Sequence, residues 1–306
     1  MVGNLQGDTR DKTDCETQFW LWRGYRISYQ TRGDRTDRDL PAAILIHGFG
    51  ASLGHWRKNM EALAEVSRVF AIDLIGFGAA DKPTPGQEID YTFETWGTQI
   101  VDFCREVVGS AAILVGNSIG AIVAMQAAVL APELASKVIA IDCSLRLLQE
   151  QKQLGLPWYK RLAAKAAQQI LGNRAIAQLF FDQVRKPSAV RKILSQAYAR
   201  SDAVTDELVD MLIEPARDPG AMDVFMAFVR YSQGPTPEEL LANLPCQATL
   251  LWGEQDPWEP IALGRELAKY DCVKEFIAIA DAGHCPQDEA PEMVNPILVR
   301  QIQSLK

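Results

Sequence analysis

The chain has 306 residues, 48% hydrophobic and 23% charged. That is the balance of an ordinary globular protein, and it excludes a disordered, collagen-like or disulfide-stapled chain. Lys+Arg 31 against Asp+Glu 39 leaves a net charge of -8, a field that repels phosphate backbones, so no nucleic acid is expected as a partner.

The six cysteines form no C-x-x-C pair, and residues 1–16 are polar with no apolar run; the expectation is a reduced, cytoplasmic setting. The three histidines, His47, His55 and His284, are dispersed, which offers no ligand spacing and predicts no metal. After a polar tail over 1–17, residues 19–22 and 26–30 flank Gly24 and read as a hairpin. Short apolar runs at 43–46, 69–74, 113–115 and 138–141 then alternate with helical patterns at 56–66, 93–108 and 119–130. This βαβα series predicts an α/β protein with a mostly parallel central sheet and helices on both faces. Residues 107–132 carry no charge and imitate a membrane span, but Gly116, Asn117, Ser118 and Gly120 split them into a buried strand and a buried helix.

From 145 the strands stop, and only helical patterns follow, broken at Pro157, Pro187, Pro215 and Pro219. Gly234-Pro235-Thr236-Pro237 marks the exit, after which strands resume at 248–252 and 276–279 around a helix at 261–270. The expected organisation is a tail (1–17), a core (18–144 and 235–306) and a helical cap (145–234) inserted after the sixth core strand.

Gly116-Asn117-Ser118-Ile119-Gly120 fits G-x-S-x-G between a predicted strand and a predicted helix, the setting of a nucleophile elbow; an ordinary turn with a capping serine would share the pattern. A serine needs a base, and His284 follows the last predicted strand on a loop. His47 and His55 read as structural. The base needs an anion, and Asp256 follows the penultimate strand; Asp142, after the strand at 138–141, is a second candidate for that role. Asp73 reads as ordering its own turn, and Glu254 as a solvated charge. His47-Gly48-Phe49-Gly50 follows the first core strand, where the Phe49 amide can meet an oxyanion together with that of Ile119. No cofactor is required by this chemistry.

Through His47-Gly48-Phe49-Gly50, the elbow at Ser118, Asp256 and His284, the chain resembles the α/β-hydrolase superfamily over nearly its whole length. Within it, Asp73-Leu74-Ile75-Gly76-Phe77-Gly78, Leu251-Trp252-Gly253 and His284-Cys285-Pro286-Gln287-Asp288-Glu289 resemble the pheophytinase and chlorophyll dephytylase group of cyanobacteria and plants. Ala121 stands where that group has a second glycine.

The resemblance implies an α/β-hydrolase fold and a serine carboxylic-ester hydrolase with Ser118, Asp256 and His284 as triad. It further implies a hydrophobic ester of a chlorophyll-type pigment as substrate and transient contact with the pigment-bearing thylakoid membrane. The cap would serve such a substrate with Trp158, Phe180, Phe181, Tyr198, Met222, Phe225, Met226, Phe228 and Tyr231, of which Phe225 and Phe228 are the candidate contacts; the same residues also suit plain helix packing. Carbon-carbon bond hydrolysis, general lipophilic-ester hydrolysis and a low-turnover binding protein stay open on this scaffold. Dehalogenases and epoxide hydrolases carry an aspartate where Ser118 stands.

Overall fold

The computed structural model describes residues 16–34, 37–87, 89–145, 173–231 and 234–304. Most of the tail, the cap residues 146–172 and, with them, Trp158 lie outside this description. Eight strands form one sheet: β1 (Gln18–Trp22), β2 (Tyr25–Arg32), β3 (Ala42–Ile46), β4 (Arg68–Ile72), β5 (Ala112–Asn117), β6 (Ala135–Ile141), β7 (Gln247–Gly253) and β8 (Val273–Ile279). Their spatial order is β1-β2-β4-β3-β5-β6-β7-β8. The hairpin β1–β2 adds to β4 antiparallel, and every pairing beyond it is parallel.

The inner strands are near-continuous apolar runs because both faces are covered. Alternate residues serve the two faces: Ile44, Ile46, Phe70, Leu114, Ala140 and Trp252 pack into one cluster, and Leu45, Ala71, Val115, Ile141 and Leu251 into the other. Against the first face lie α2 (Phe93–Phe103) and α3 (Ile119–Leu130). The second is covered by α1 (Met60–Ala64) and by a C-terminal helix, Pro291–Gln303. The α3 helix is buried almost all round, which explains the span-like hydropathy of 107–132; no helix among the described residues is long and apolar enough to cross a membrane.

Between β6 and β7 the chain forms the helical insertion: α4 (Arg174–Val184), α5 (Pro187–Ala197), α6 (Asp206–Ile213) and α7 (Ala221–Arg230). Of the prolines where a break was predicted, Pro187 is the first residue of α5, Pro215 lies in a 3-10 turn after α6 and Pro219 lies in a turn, while Pro157 lies outside the described residues. Thr236, expected only to mark the exit, opens α8 (Pro237–Ala242) with a reciprocal Thr236–Glu239 capping box. Then come α9 (Ile261–Leu267), α10 (Pro286–Glu289) and the C-terminal helix, α11.

Two helical expectations need correction. Residues 56–66 are not one helix but a 3-10 turn, Leu53–Trp56, followed by the single-turn α1. Long-range bonds set this backbone: Asp73 takes the Leu53 amide at 2.7 Å, Asn59 reaches the Gln287 carbonyl at 2.9 Å, and Arg57 reaches Asp288 at 2.8 Å. The helix expected over 93–108 is α-helical only to Phe103; it widens to a π turn at Cys104–Val108 and ends at Gly109, with φ 69°.

Candidate active site

The carboxyl ends of β3, β5, β6, β7 and β8 converge on one edge of the sheet, where loops emerge and ligands bind in open α/β folds. At the end of β5 the chain reverses into α3 through Ser118, held at φ 57° and ψ -118°, a strained conformation for a residue with a side chain. A Cβ on Gly116 would lie 2.1 Å from the Gly120 carbonyl oxygen, and one on Gly120 would lie 2.4 Å from that of Ile46, so neither glycine can be replaced without moving the turn. Ala121, by contrast, is buried in the apolar cluster under α3, so its methyl is accommodated.

His284 sits on the loop after β8. Its Nδ1 lies 2.7 Å from Asp256 Oδ2, so Nδ1–H donates to the carboxylate and Nε2 keeps its lone pair. The other oxygen, Asp256 Oδ1, accepts the amides of Trp258 at 2.8 Å and Glu259 at 3.0 Å. Burial alone would raise Asp256, but the His284 contact and these amides outweigh it and hold the carboxyl below its ordinary range.

Asn117 binds the two halves of the site. Its Nδ2 donates to the His284 carbonyl at 3.1 Å and to that of Ile141 at 3.3 Å. Sequence reasoning assigned Asn117 no role, and only its position inside the elbow motif could have drawn attention to it.

The insertion also reaches this loop: the His284 amide donates to the Ala197 carbonyl at the end of α5, at 2.9 Å. A Cβ on Gly283 would stand 2.2 Å from that same oxygen, so glycine here permits the contact.

Phe49 and Ile119 line the same cavity as Ser118 and His284. Among the described residues, neither amide donates to a protein acceptor. Two free amides beside a serine can stabilise negative charge developing on an oxygen.

The cavity holds about 740 Å³, ample for a drug-sized molecule. Its walls come from the core (Phe49, Trp258) and from the insertion (Phe181, Leu194, Phe225, Phe228). The Phe49 ring stacks on Phe228 at 4.3 Å and meets Phe225 at 5.5 Å. Glu259 also borders the cavity; its Oε2 accepts the Leu145 amide at 3.1 Å, and burial pushes its carboxyl up to about 7.

The remaining expectations sort as follows. His47 Nε2 accepts the Leu74 amide at 3.0 Å while Nδ1 faces the Gly48 carbonyl at 2.8 Å, and burial lowers its pKa; it orders the backbone. His55 Nε2 lies 2.9 Å from the Tyr198 hydroxyl, which donates to Asp288 Oδ2 at 2.9 Å, and burial brings the imidazole down to about 4. Asp73 takes the Ala79 amide of its own turn at 2.9 Å, and the Ser28 hydroxyl at 2.5 Å besides. Glu254 is exposed. Asp142 is fully buried and bonds the Gly253 amide at 2.9 Å; the carboxylate on His284 is Asp256.

Fold and site together define a protein of the α/β-hydrolase class. Residues 43–297 match the alpha/beta hydrolase family, and the chain belongs to it. It is 26% identical to a chloroplastic pheophytinase of Arabidopsis thaliana over 92% of this chain and 65% of that protein, so it spans just under two thirds of that relative's length. Among solved structures, a thermophilic esterase from Thermogutta terrifontis superposes with a TM-score of 0.71 at 21% identity, covering 95% of this chain and 99% of that one. A meta-cleavage product hydrolase from Pseudomonas fluorescens does so with a TM-score of 0.71 at 20% identity, over 94% and 98%. At such identities the two structures are alike in fold alone.

Proposed function

We propose that the chain is a serine carboxylic-ester hydrolase that works through an acyl-enzyme and removes phytol from a chlorophyll-type pigment. Ser118 attacks the ester carbonyl, His284 takes its proton and returns it to the leaving alcohol, and Asp256 holds His284 in the tautomer this requires. The Phe49 and Ile119 amides receive the oxyanion, and water resolves the acyl-enzyme by the reverse proton path. One observation carries the reading: a strained Ser118 borders the same cavity as His284, whose Nδ1 is 2.7 Å from a carboxylate.

The finer assignment is supported by the resemblance of the His284–Glu289 segment, by the likeness to a pheophytinase and by the apolar cavity under the insertion. In this reading 145–234 acts as a cap over a core of 18–144 and 235–306, Phe225 and Phe228 touch the substrate, and the protein meets the pigment-bearing membrane transiently. The test is incubation with a chlorophyll, a pheophytin and simple acyl esters, with products separated by chromatography. Phytol and the matching pigment acid are expected. Cleavage of short esters with both pigments untouched in detergent would leave a general serine hydrolase, and no cleavage of any ester would remove the ester-hydrolase reading.

A further inference from the structure

Asp142 immediately follows β6 and is the most enclosed carboxyl beside the proposed triad. It has φ 43°, a left-handed conformation that costs a side-chain-bearing residue on the order of 1–3 kcal/mol, and it is fully buried. Its amide donates to the Leu251 carbonyl at 2.9 Å, and its Oδ1 accepts the Gly253 amide at 2.9 Å. Asp142 is thus clamped against the end of β7, three residues before Asp256. Its Oδ2 accepts no donor from the described residues.

A buried carboxylate oxygen with no donor is costly, whereas a carboxylic acid would carry a donor there instead. The surroundings favour the acid. Burial, then the negative charge of Asp256, push Asp142 well above the ordinary carboxyl range; the Gly253 amide opposes them, and Glu289 adds to the rise. Asp256 is the neighbouring acid: its amide donates to the Gly253 carbonyl at 3.3 Å, on the same residue whose amide bonds Asp142, and Asp256 is the one of the two bonded to His284. Glu259 stands on the far side of Asp256, with its amide on Oδ1.

We propose that Asp142 is a positioning residue: as a neutral carboxylic acid it donates its Oδ2 proton to the Asp256 carboxylate and so fixes that carboxylate against His284. The strained turn after β6 places this donor where no backbone amide reaches. The role rests on the reading of Asp256 as the triad acid, although the protonation of Asp142 does not.

Two variants and one spectroscopic measurement test it. Asp142→Ala removes the donor and is expected to lower kcat about 10- to 100-fold with little change in KM, the loss of one hydrogen bond to a charged group. Asp142→Asn keeps both an acceptor for Gly253 and a donor for Asp256, and is expected to recover at least tenfold of that loss. The infrared difference between wild type and Asp142→Asn at neutral pH should contain the C=O stretch of a protonated carboxylic acid. A carboxylate band in its place, or an Asn variant as impaired as the Ala variant, overturns the proposal. If Asp142→Ala fails to fold, the infrared band decides. If the wild type cleaves no ester, the ester-hydrolase reading fails while the infrared band still decides the protonation of Asp142.

Discussion

The loop edge of the sheet and the helical insertion above it face the same cavity but are built on different physics. At the edge, three polar side chains are tied by directional bonds: Asn117 to the His284 carbonyl, His284 to Asp256, Asp256 to two amides. On the insertion side the contacts are mainly apolar surfaces, with Phe225 and Phe228 against Phe49 and a separate small core around Phe181, Met222 and Met226. Directional bonds tolerate almost no displacement, whereas apolar contacts can slide and repack. In the proposed function, chemistry therefore belongs to the edge, and the choice of substrate to the insertion.

The largest test of this division is at the edge. Ser118→Ala should lower kcat by on the order of 10⁴ or more for every substrate alike, with the fold intact, and a serine-directed phosphonate should label wild type only. Asp256→Asn should follow, by roughly 10³–10⁴, because the asparagine no longer selects the required tautomer of His284. Steady-state kinetics on one short ester and one pigment reads both losses, and a loss confined to one substrate would break the division.

On the insertion side the effect should be smaller and selective. Phe228→Ala removes the ring stacked on Phe49 and should lower kcat/KM for a phytylated pigment about tenfold or more, and for a short ester by no more than about threefold. Equal losses on both substrates would mean that the stack positions the Phe49 amide rather than the substrate.

An effect on stability alone, with none expected on the ranking of substrates, lies where the two regions join, at Glu259, which holds the Leu145 amide. Its native value of about 7 stands above the ordinary 4.5, so between these values the folded protein holds a proton that the unfolded chain has released. Stability from this group is therefore undiminished below about 4.5 and is lost as pH rises through 7, by at most about 3 kcal/mol. Melting temperatures of wild type and Glu259→Gln should diverge across that window, with the variant gaining on wild type toward pH 8. Parallel curves would show that Glu259 is ionised throughout.

Much of this arrangement was legible in the sequence because it rests on local rules. Buried parallel strands are continuous apolar runs, and the elbow needs small residues at fixed spacing, so β3 to β7 and Gly116 to Gly120 stand out without a fold in hand. What escaped notice depends on partners far along the chain. Nothing near Asn59 foretells that Gln287 and Asn295 will engage its side chain, and the helix read at 56–66 fails for that reason. Likewise, His55 looks like an ordinary helix-start histidine until Tyr198 and Asp288 come into view. The short helix α10 was hidden by its proline and acidic composition, and α11 carries an internal proline, Pro296, that weakens any helical reading.

The placement of the insertion has a consequence for biosynthesis. Asn117 and His284 are 167 residues apart, with all of α4 to α7 translated between them. At about 5–20 residues per second, a ribosome completes the elbow roughly 8–30 seconds before the imidazole exists. During that interval Ser118 has neither its proposed base nor the carbonyl that anchors Asn117. Under the proposed mechanism the nascent chain is thus chemically silent through that interval, and reactivity arrives only when the last two strands close the sheet.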